Sequence, residues 1–367
     1  MEKKQTFLHL IFAVLFIGLV LSCSVFFLTE TWIMRTGTQA EDCYDGSVIE
    51  GDSFFARFSR TVYQNKNTLS FIAECEYRFF DVVTDPNVIV GDEGFLFEAR
   101  NAETGYDYLR DFIGEESFTE EECAAILAEL QRREDFYATR GAEYFLIIIP
   151  NAQTVYSDYM PSYLGEISPN TRLSVLDRYL QSHGFDSFSN ITSALRRHTD
   201  KGLLYNNTEN SLNARGLYYT YLTVYSYFSE PVRRYTDPIL PSEVTFFEHM
   251  TQGKDVARRA GLADVVQNRT VSLSNDTDIH YRYLFNTGRC VKTVRIDYSM
   301  NQVASPPLLL QFTSNWERSQ IEPFFSNTFT RVTYQTSLEH DETVYEQAKP
   351  AAVIQFIYES DLSSLLP

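Results

Sequence analysis

Residues 308–358 read LLLQFTSNWERSQIEPFFSNTFTRVTYQTSLEHDETVYEQAKPAAVIQFIY. Three apolar runs stand in this stretch, at 308–312, 329–334 and 352–358. Each is short and lacks polar alternation, the pattern of a strand buried on both faces. The segments between them, 317–325 and 341–347, carry apolar residues at helical spacing. Strands alternating with amphipathic helices imply an α/β fold with a parallel sheet covered on both faces. Ligands of such sheets sit at the carboxyl ends of the strands. That places residues 312–316 at the expected site, together with the segment following Ile149.

The same alternation extends toward the N-terminus. Thr119-x-x-Glu122 is a capping box that opens a helix running to about Arg140. Gly141 ends it, and the continuous apolar run 144–149 is the next strand. It is too short to cross a membrane. Ser168-Pro169 is expected to open a helix reaching about Gly184, and a further helix is expected over 213–228. Residues 88–97, VIVGDEGFLF, read as a hairpin turning on Gly91-Asp92-Glu93-Gly94. Residues 29–88 form a juxtamembrane region with mixed helical periodicity over 53–80.

The chain has 367 residues, of which 44% are hydrophobic, with 28 Phe and 24 Tyr. That suffices for a packed core. The formal net charge of −18 repels nucleic acid, and no polybasic run offsets it. Nucleic-acid binding is therefore excluded. The five cysteines, Cys23, Cys43, Cys75, Cys123 and Cys290, form no CxxC pair and no cluster with histidine. No metal or other cofactor is expected. Outside the apolar N-terminal segment four cysteines remain, open equally to disulfides or to buried free thiols.

Residues 7–28, FLHLIFAVLFIGLVLSCSVFFL, are uninterrupted by charge. At ~1.5 Å per residue such a run spans a hydrocarbon core. Lys3 and Lys4 precede it, and acidic residues soon follow, so residues 1–6 are read as cytoplasmic and the bulk as extracytoplasmic. The alternatives are a lipoprotein signal ending at Leu21-Ser22-Cys23 and a cleaved signal peptide. The apolar run continues past Cys23, and no small-x-small site follows it, so a transmembrane anchor is the preferred reading.

Three further constellations are weighed against plainer explanations. Gly51-Asp52-Ser53-Phe54 spells a nucleophile motif, yet no buried strand precedes it, and a helix N-cap accounts for the same residues. His280 and His340 stand beside acids, as solvated loop histidines also do. Tyr218, Tyr221 and Tyr225 share one helical face with Leu222, a pattern that packing explains at least as well as glycan stacking.

Several segments together resemble the SGNH-like proteins of the DHHW and alginate O-acetyltransferase type. Residues 90–97 resemble the family's v-G-k-d-G-w-L-F. Pro150-Asn151-Ala152 through Tyr156 and Pro161 resemble P-n-K-x-x-v-Y-x-x-y-l-P. Lys254 to Leu262 resemble g-D-L-a-x-x-l-G-l, and Pro350 to Leu362 resemble the closing k-P-D-v-v-i-e-x-x-v-E-R-y-L. The resemblance covers roughly residues 45–367. It implies a three-layer α/β/α domain over residues 89–367 and a tethered protein linked to acetylation of exopolysaccharides or cell-wall polymers. It also implies Asn151, Tyr156, Asn213, Trp316 and Tyr218 as ligand-binding positions, and a membrane-bound O-acyltransferase as a partner.

The family's catalytic motif, T-D-x-H-W-n-x-x-G-a-y, aligns with residues 208–218, TENSLNARGLY. Thr208, Asn213, Gly216 and Tyr218 match it. Glu209 stands at the Asp position, Ser211 at the His position and Leu212 at the Trp position. A serine hydroxyl is no general base near neutral pH. The family's Gly-Asp-Ser nucleophile aligns with Ser314-Asn315-Trp316, or with Phe312-Thr313-Ser314 after a two-residue shift. The closing Glu-Arg pair becomes Glu359-Ser360. The resemblance thus implies a pseudoenzyme that binds or scaffolds. The alternatives are an active O-acetyltransferase or acetylesterase using Ser314 or Ser53, and a structural envelope protein without ligand.

Overall fold

The computed structural model describes residues 66–80, 82–101, 104–274, 294–298, 305–313, 315–339 and 341–367. The proposed anchor, Ser53, Ser314, His280 and His340 lie outside these residues, and of Trp316 only the backbone is described. No helix of the described residues is long and apolar enough to cross a membrane. The chain divides into units Met1–Ile72 and Ala73–Pro367. Of the first, only the opening of helix α1, Lys66–Phe80, is described. The rest concerns the second.

The hairpin β1 (Val88–Val90) and β2 (Leu96–Glu98) comes first. Helices α2 (Tyr108–Phe112) and α3 (Glu120–Ala138) lead to β3 (Glu143–Ile149). Then come α4 (Ala152–Val155), α5 (Arg172–Ser182), β4 (Phe188–Asn190), α6 (Thr192–Arg196), α7 (Ala214–Tyr227) and α8 (Glu230–Arg233). A second hairpin joins β5 (Phe246–Thr251) to β6 (Asn268–Leu273) around α9 (Asp255–Arg259). The chain closes with β7 (Val294–Tyr298), β8 (Leu308–Phe312), α10 (Asn315–Thr328), β9 (Arg331–Gln335), α11 (Glu342–Ala348) and β10 (Ala352–Tyr358).

The main sheet runs β4-β3-β10-β8-β9-β7. Its first five strands are parallel, and β7 pairs antiparallel at the edge. Alternate residues of β10 enter opposite cores. Ala352, Ile354 and Phe356 join α7 and α10 on one face, whereas Val353 and Ile357 join α3, α5 and α11 on the other. Burial on both faces is why the central strands read as unbroken apolar runs. Each fully buried large apolar side chain contributes about 2 kcal/mol.

The expected boundaries hold for β8 and β10. The Thr119–Glu122 capping box is formed in both directions. Two expectations need correction. The helix expected from Ser168 begins at Arg172, where the Thr171 hydroxyl caps it, because the Ser168 N–H is committed to the Phe112 carbonyl. The helix expected to end at Phe325 continues to Thr328, since Phe324, Phe325 and Phe329 are buried on the sheet. Among the described cysteines, Cys75 and Cys123 are free thiols.

One buried feature is polar. Gln355, Gln311 and Gln335 stand in register on β10, β8 and β9. Gln355 donates to Gln311 at 2.8 Å, and Gln311 donates to Gln335 at 2.8 Å. The ladder continues into the Leu338 and Glu339 carbonyls, and it accepts from Tyr137, Tyr144 and Arg133. Every amide in it is satisfied, so the cluster fixes strand register rather than straining the core. Gln311→Leu strands the Tyr137 hydroxyl and one acceptor on Gln335, and is expected to cost about 3 kcal/mol. Urea unfolding will show this as a lower midpoint at unchanged slope.

Candidate functional site

Strands β3 and β10 end side by side, Ile149 opposite Tyr358. Just beyond them a cavity of about 570 Å³ opens, lined by Asn151 on one side and by Tyr358, Ser360 and Asp361 on the other. Residues 209–211 form a further wall, and Lys254 and Arg258 form its basic edge. An adjoining cavity of about 500 Å³ shares Ser360 and Asp361 and is lined also by Thr313, which follows β8. This is the carboxyl edge of the sheet, where the fold favours a ligand.

Each wall is held for a local reason. Glu359 leaves β10 and turns inward with 1% exposure. Its Oε2 accepts from the Asn151 backbone N–H and the Thr154 hydroxyl, both at 2.7 Å. This ties the end of β3 to the end of β10. Asn210 docks the 206–213 loop onto the same point. Its side-chain oxygen accepts from the Ala152 N–H at 3.1 Å, and its amide donates to Glu98 at 3.2 Å. Glu98 is also paired to Arg259.

The loop before Asn210 is tied to both hairpins. Asn207 donates to the Gly94 and Gln267 carbonyls at 2.8 and 3.1 Å. Thr208 donates to Asn268 at 2.6 Å and accepts from the Lys254 N–H at 2.9 Å. Asn206 holds Glu209 at 2.8 Å. Beyond the loop, Asn213 caps α7, accepting from the Arg215 and Gly216 N–H groups. A Cβ on Gly216 would stand 2.3 Å from the Leu204 carbonyl oxygen, so only glycine fits there.

The structure therefore brings Glu209, Ser211 and Asn151 to one cavity and places three other predicted positions away from it. Asn213 is a buried helix cap. Tyr218 is 1% exposed in the core, its hydroxyl donating to the Ile239 carbonyl at 2.9 Å. Tyr156 accepts from the Leu204 N–H at 2.8 Å and lines a different cavity, beside Asp158 and Arg269. Packing of a tyrosine-rich helix against Phe324 and Phe325 outcompetes glycan stacking for that face. Leu212, at the tryptophan position, is fully buried. Sequence reasoning missed Glu98, Tyr108, Asn210 and Asp361; only the family-like stretch around Lys254 and the strand end at Tyr358 pointed toward them.

The lining offers carboxylates, amides and hydroxyls in close order. Glu98 and Asp255 are partly neutralised, by Arg259 and by Arg258 at 3.0 Å. Burial holds the Tyr108 hydroxyl well above its ordinary range, so it stays protonated as a donor. Of the described histidines, His183, His198 and His249, none lines the cavity. His198 instead stacks on Tyr219 at 3.9 Å. The arrangement suits a ligand rich in hydroxyls, with Tyr358 and Tyr108 as its aromatic surfaces.

Burial raises Glu359 to about 7, with the nearby Asp111 carboxylate adding to the effect, against the two hydrogen bonds that favour its charge. A folded-state value above the unfolded 4.5 means the native state binds a proton that the unfolded chain releases. Stability therefore falls as pH rises from about 4.5 to about 7, by about 3 kcal/mol. Thermal melting of Glu359→Gln is expected to lose this part of the pH dependence; an unchanged profile would show that Glu359 is not its source.

No protein-family model matches the sequence, and no curated protein matches it. Solved structures are similar to it. A DHHW-family protein from Eubacterium siraeum is 10% identical, with 76% of this chain and 95% of that chain covered at a TM-score of 0.50. PatB1 of Bacillus cereus is similar at 13% identity, 75% and 96% coverage and a TM-score of 0.48. The O-acetyltransferase domain of Pseudomonas putida AlgJ is similar at 13% identity, 76% and 92% coverage and 0.44. The fold is thus shared with a DHHW-family protein, as the resemblance in the sequence implies.

Proposed function

We propose that this chain is a membrane-anchored, extracytoplasmic glycan-binding or scaffold component of cell-envelope or exopolysaccharide modification. Its SGNH-like domain keeps the ligand cavity of an O-acetyltransferase and has lost the acyl-transfer chemistry. One observation carries this reading. Glu209 and Ser211, at the orienter and base positions of the family motif, line the cavity at the strand ends beside Asn151. The loop that presents them is fully tied down, so the frame is kept while the proton acceptor is replaced. A serine at the base position cannot take a proton from a second serine near neutral pH, because its conjugate acid is far too strong.

The apolar run 7–28 supports an anchor that holds residues 29–88 and the domain at the outer membrane face. Such a position suits a partner that supplies acyl groups through the membrane, of the membrane-bound O-acyltransferase type. Turnover of p-nitrophenyl acetate by the full chain in detergent is the test. Wild type, Ser314→Ala and Ser53→Ala are expected to match the uncatalysed rate alike. Turnover that disappears in either serine variant overturns the proposal in favour of an active acetyltransferase or esterase.

A further inference from the structure

Two buried carboxyl groups stand behind the cavity wall. Asp111 of α2 is 2% exposed and Glu359 is 1% exposed. Asn151, which lines the cavity, is suspended between them. Its backbone N–H donates to Glu359 Oε2 at 2.7 Å. Its side-chain amide reaches the Tyr106 hydroxyl at 3.4 Å, and that hydroxyl donates to Asp111 at 2.5 Å. The other Asp111 oxygen accepts from the Arg172 backbone N–H at 2.7 Å.

The charged and titratable groups facing this pair are Arg172, Glu116, Tyr106 and Tyr205. Both tyrosine hydroxyls are raised by burial and stay protonated. The Arg172 guanidinium pairs with Glu116 at 2.7 Å and packs over the Tyr106 ring; Asp111 accepts a hydrogen bond from the Arg172 backbone N–H and feels the guanidinium charge only through space. Among the described residues Glu359 has no ion-paired cation, so its charge is disfavoured by burial and by the neighbouring Asp111 carboxylate.

We propose that Glu359 gains and loses a proton near neutral pH in the field of the Asp111 carboxylate, and that its presence on Glu359 sets how firmly Asn151 is held in the cavity wall. When Glu359 is ionised, Oε2 accepts two charge-assisted hydrogen bonds, which are roughly twice as strong as neutral ones. They fix Asn151 and the α4 turn behind it. Both bonds fall on Oε2, so the proton is carried on Oε1. Protonation removes the charge, weakens both bonds and loosens the α4 turn. The elevated Glu359 value, about 7, places this exchange near neutrality. As a regulator of binding, the device rests on the cavity being the ligand site; the proton exchange itself does not.

The experiment needs no ligand. Full chain labelled with 15N-asparagine is titrated in detergent from roughly pH 5 to roughly pH 9, a range that brackets the exchange. The Asn151 backbone and side-chain signals are expected to move in one transition near pH 7. Glu359→Gln is expected to abolish that transition. Asp111→Asn is expected to lower its midpoint, because the repelling acid is gone. Asn151 signals that stay fixed across the range overturn the proposal, as does the same transition in Glu359→Gln. Should that variant fail to fold, an unshifted midpoint in Asp111→Asn overturns it equally. None of these outcomes bears on whether a glycan binds.

Discussion

Everything at the candidate site hangs from the pairing of β3 with β10. These strands lie parallel over their whole lengths, Ala352 opposite Glu143 and Tyr358 opposite Ile149. Their ends therefore come out level. Asn151, two residues beyond β3, and Glu359, directly after β10, meet across the gap in a hydrogen bond between backbone N–H and buried carboxyl group. A one-residue slip would turn each side chain of β10 to the opposite core and move Glu359 off its partner. The glutamine ladder opposes such a slip, since Gln355 meets Gln311 and Gln311 meets Gln335 only in the observed register.

Around that junction, the motif residues separate by what they touch. Thr208, Asn213 and Gly216 face the protein: one bridges to β6, one caps α7 and one lets α7 pass the Leu204 carbonyl. Tyr218 fills the core. These positions serve the loop's shape, and that shape is indifferent to whether chemistry occurs. Glu209 and Ser211 face the cavity, where a change of side chain costs the fold little. A loop can thus keep its frame and change its chemistry. Asn210 sits between them and faces inward to Ala152 and Glu98, so it belongs to the frame despite its place in the middle of the motif.

Much of the fold was legible in the sequence, because buried strands and capping boxes leave local signals. Residues 308–312 and 352–358 form strands over the range their apolar runs span, and the hairpin at 88–97 turns where its glycines stand. The short strand β4 and the second hairpin left no such signal. The three residues of β4 are only half-buried, and β5 exposes Phe247 and Met250. The site was legible in part. The alignment with a family motif located Glu209 and Ser211, and the strand-end rule located Asn151. Asn213, Tyr156 and Tyr218 do not line that cavity, because a residue type cannot tell which way its side chain points. Glu359 gave one clue, an acid directly after an apolar strand. Its burial opposite Asn151 depends on a partner 208 residues away in the chain.

On this reading the cavity holds a glycan without acting on its ester. A crystal structure of the chain with an O-acetylated neutral oligosaccharide tests it most directly. The expected result is an intact acetyl ester, held non-covalently among Glu209, Ser211, Asn151 and Asp361. An acetyl group transferred to a serine, or a saccharide seated elsewhere with this cavity empty, would contradict it.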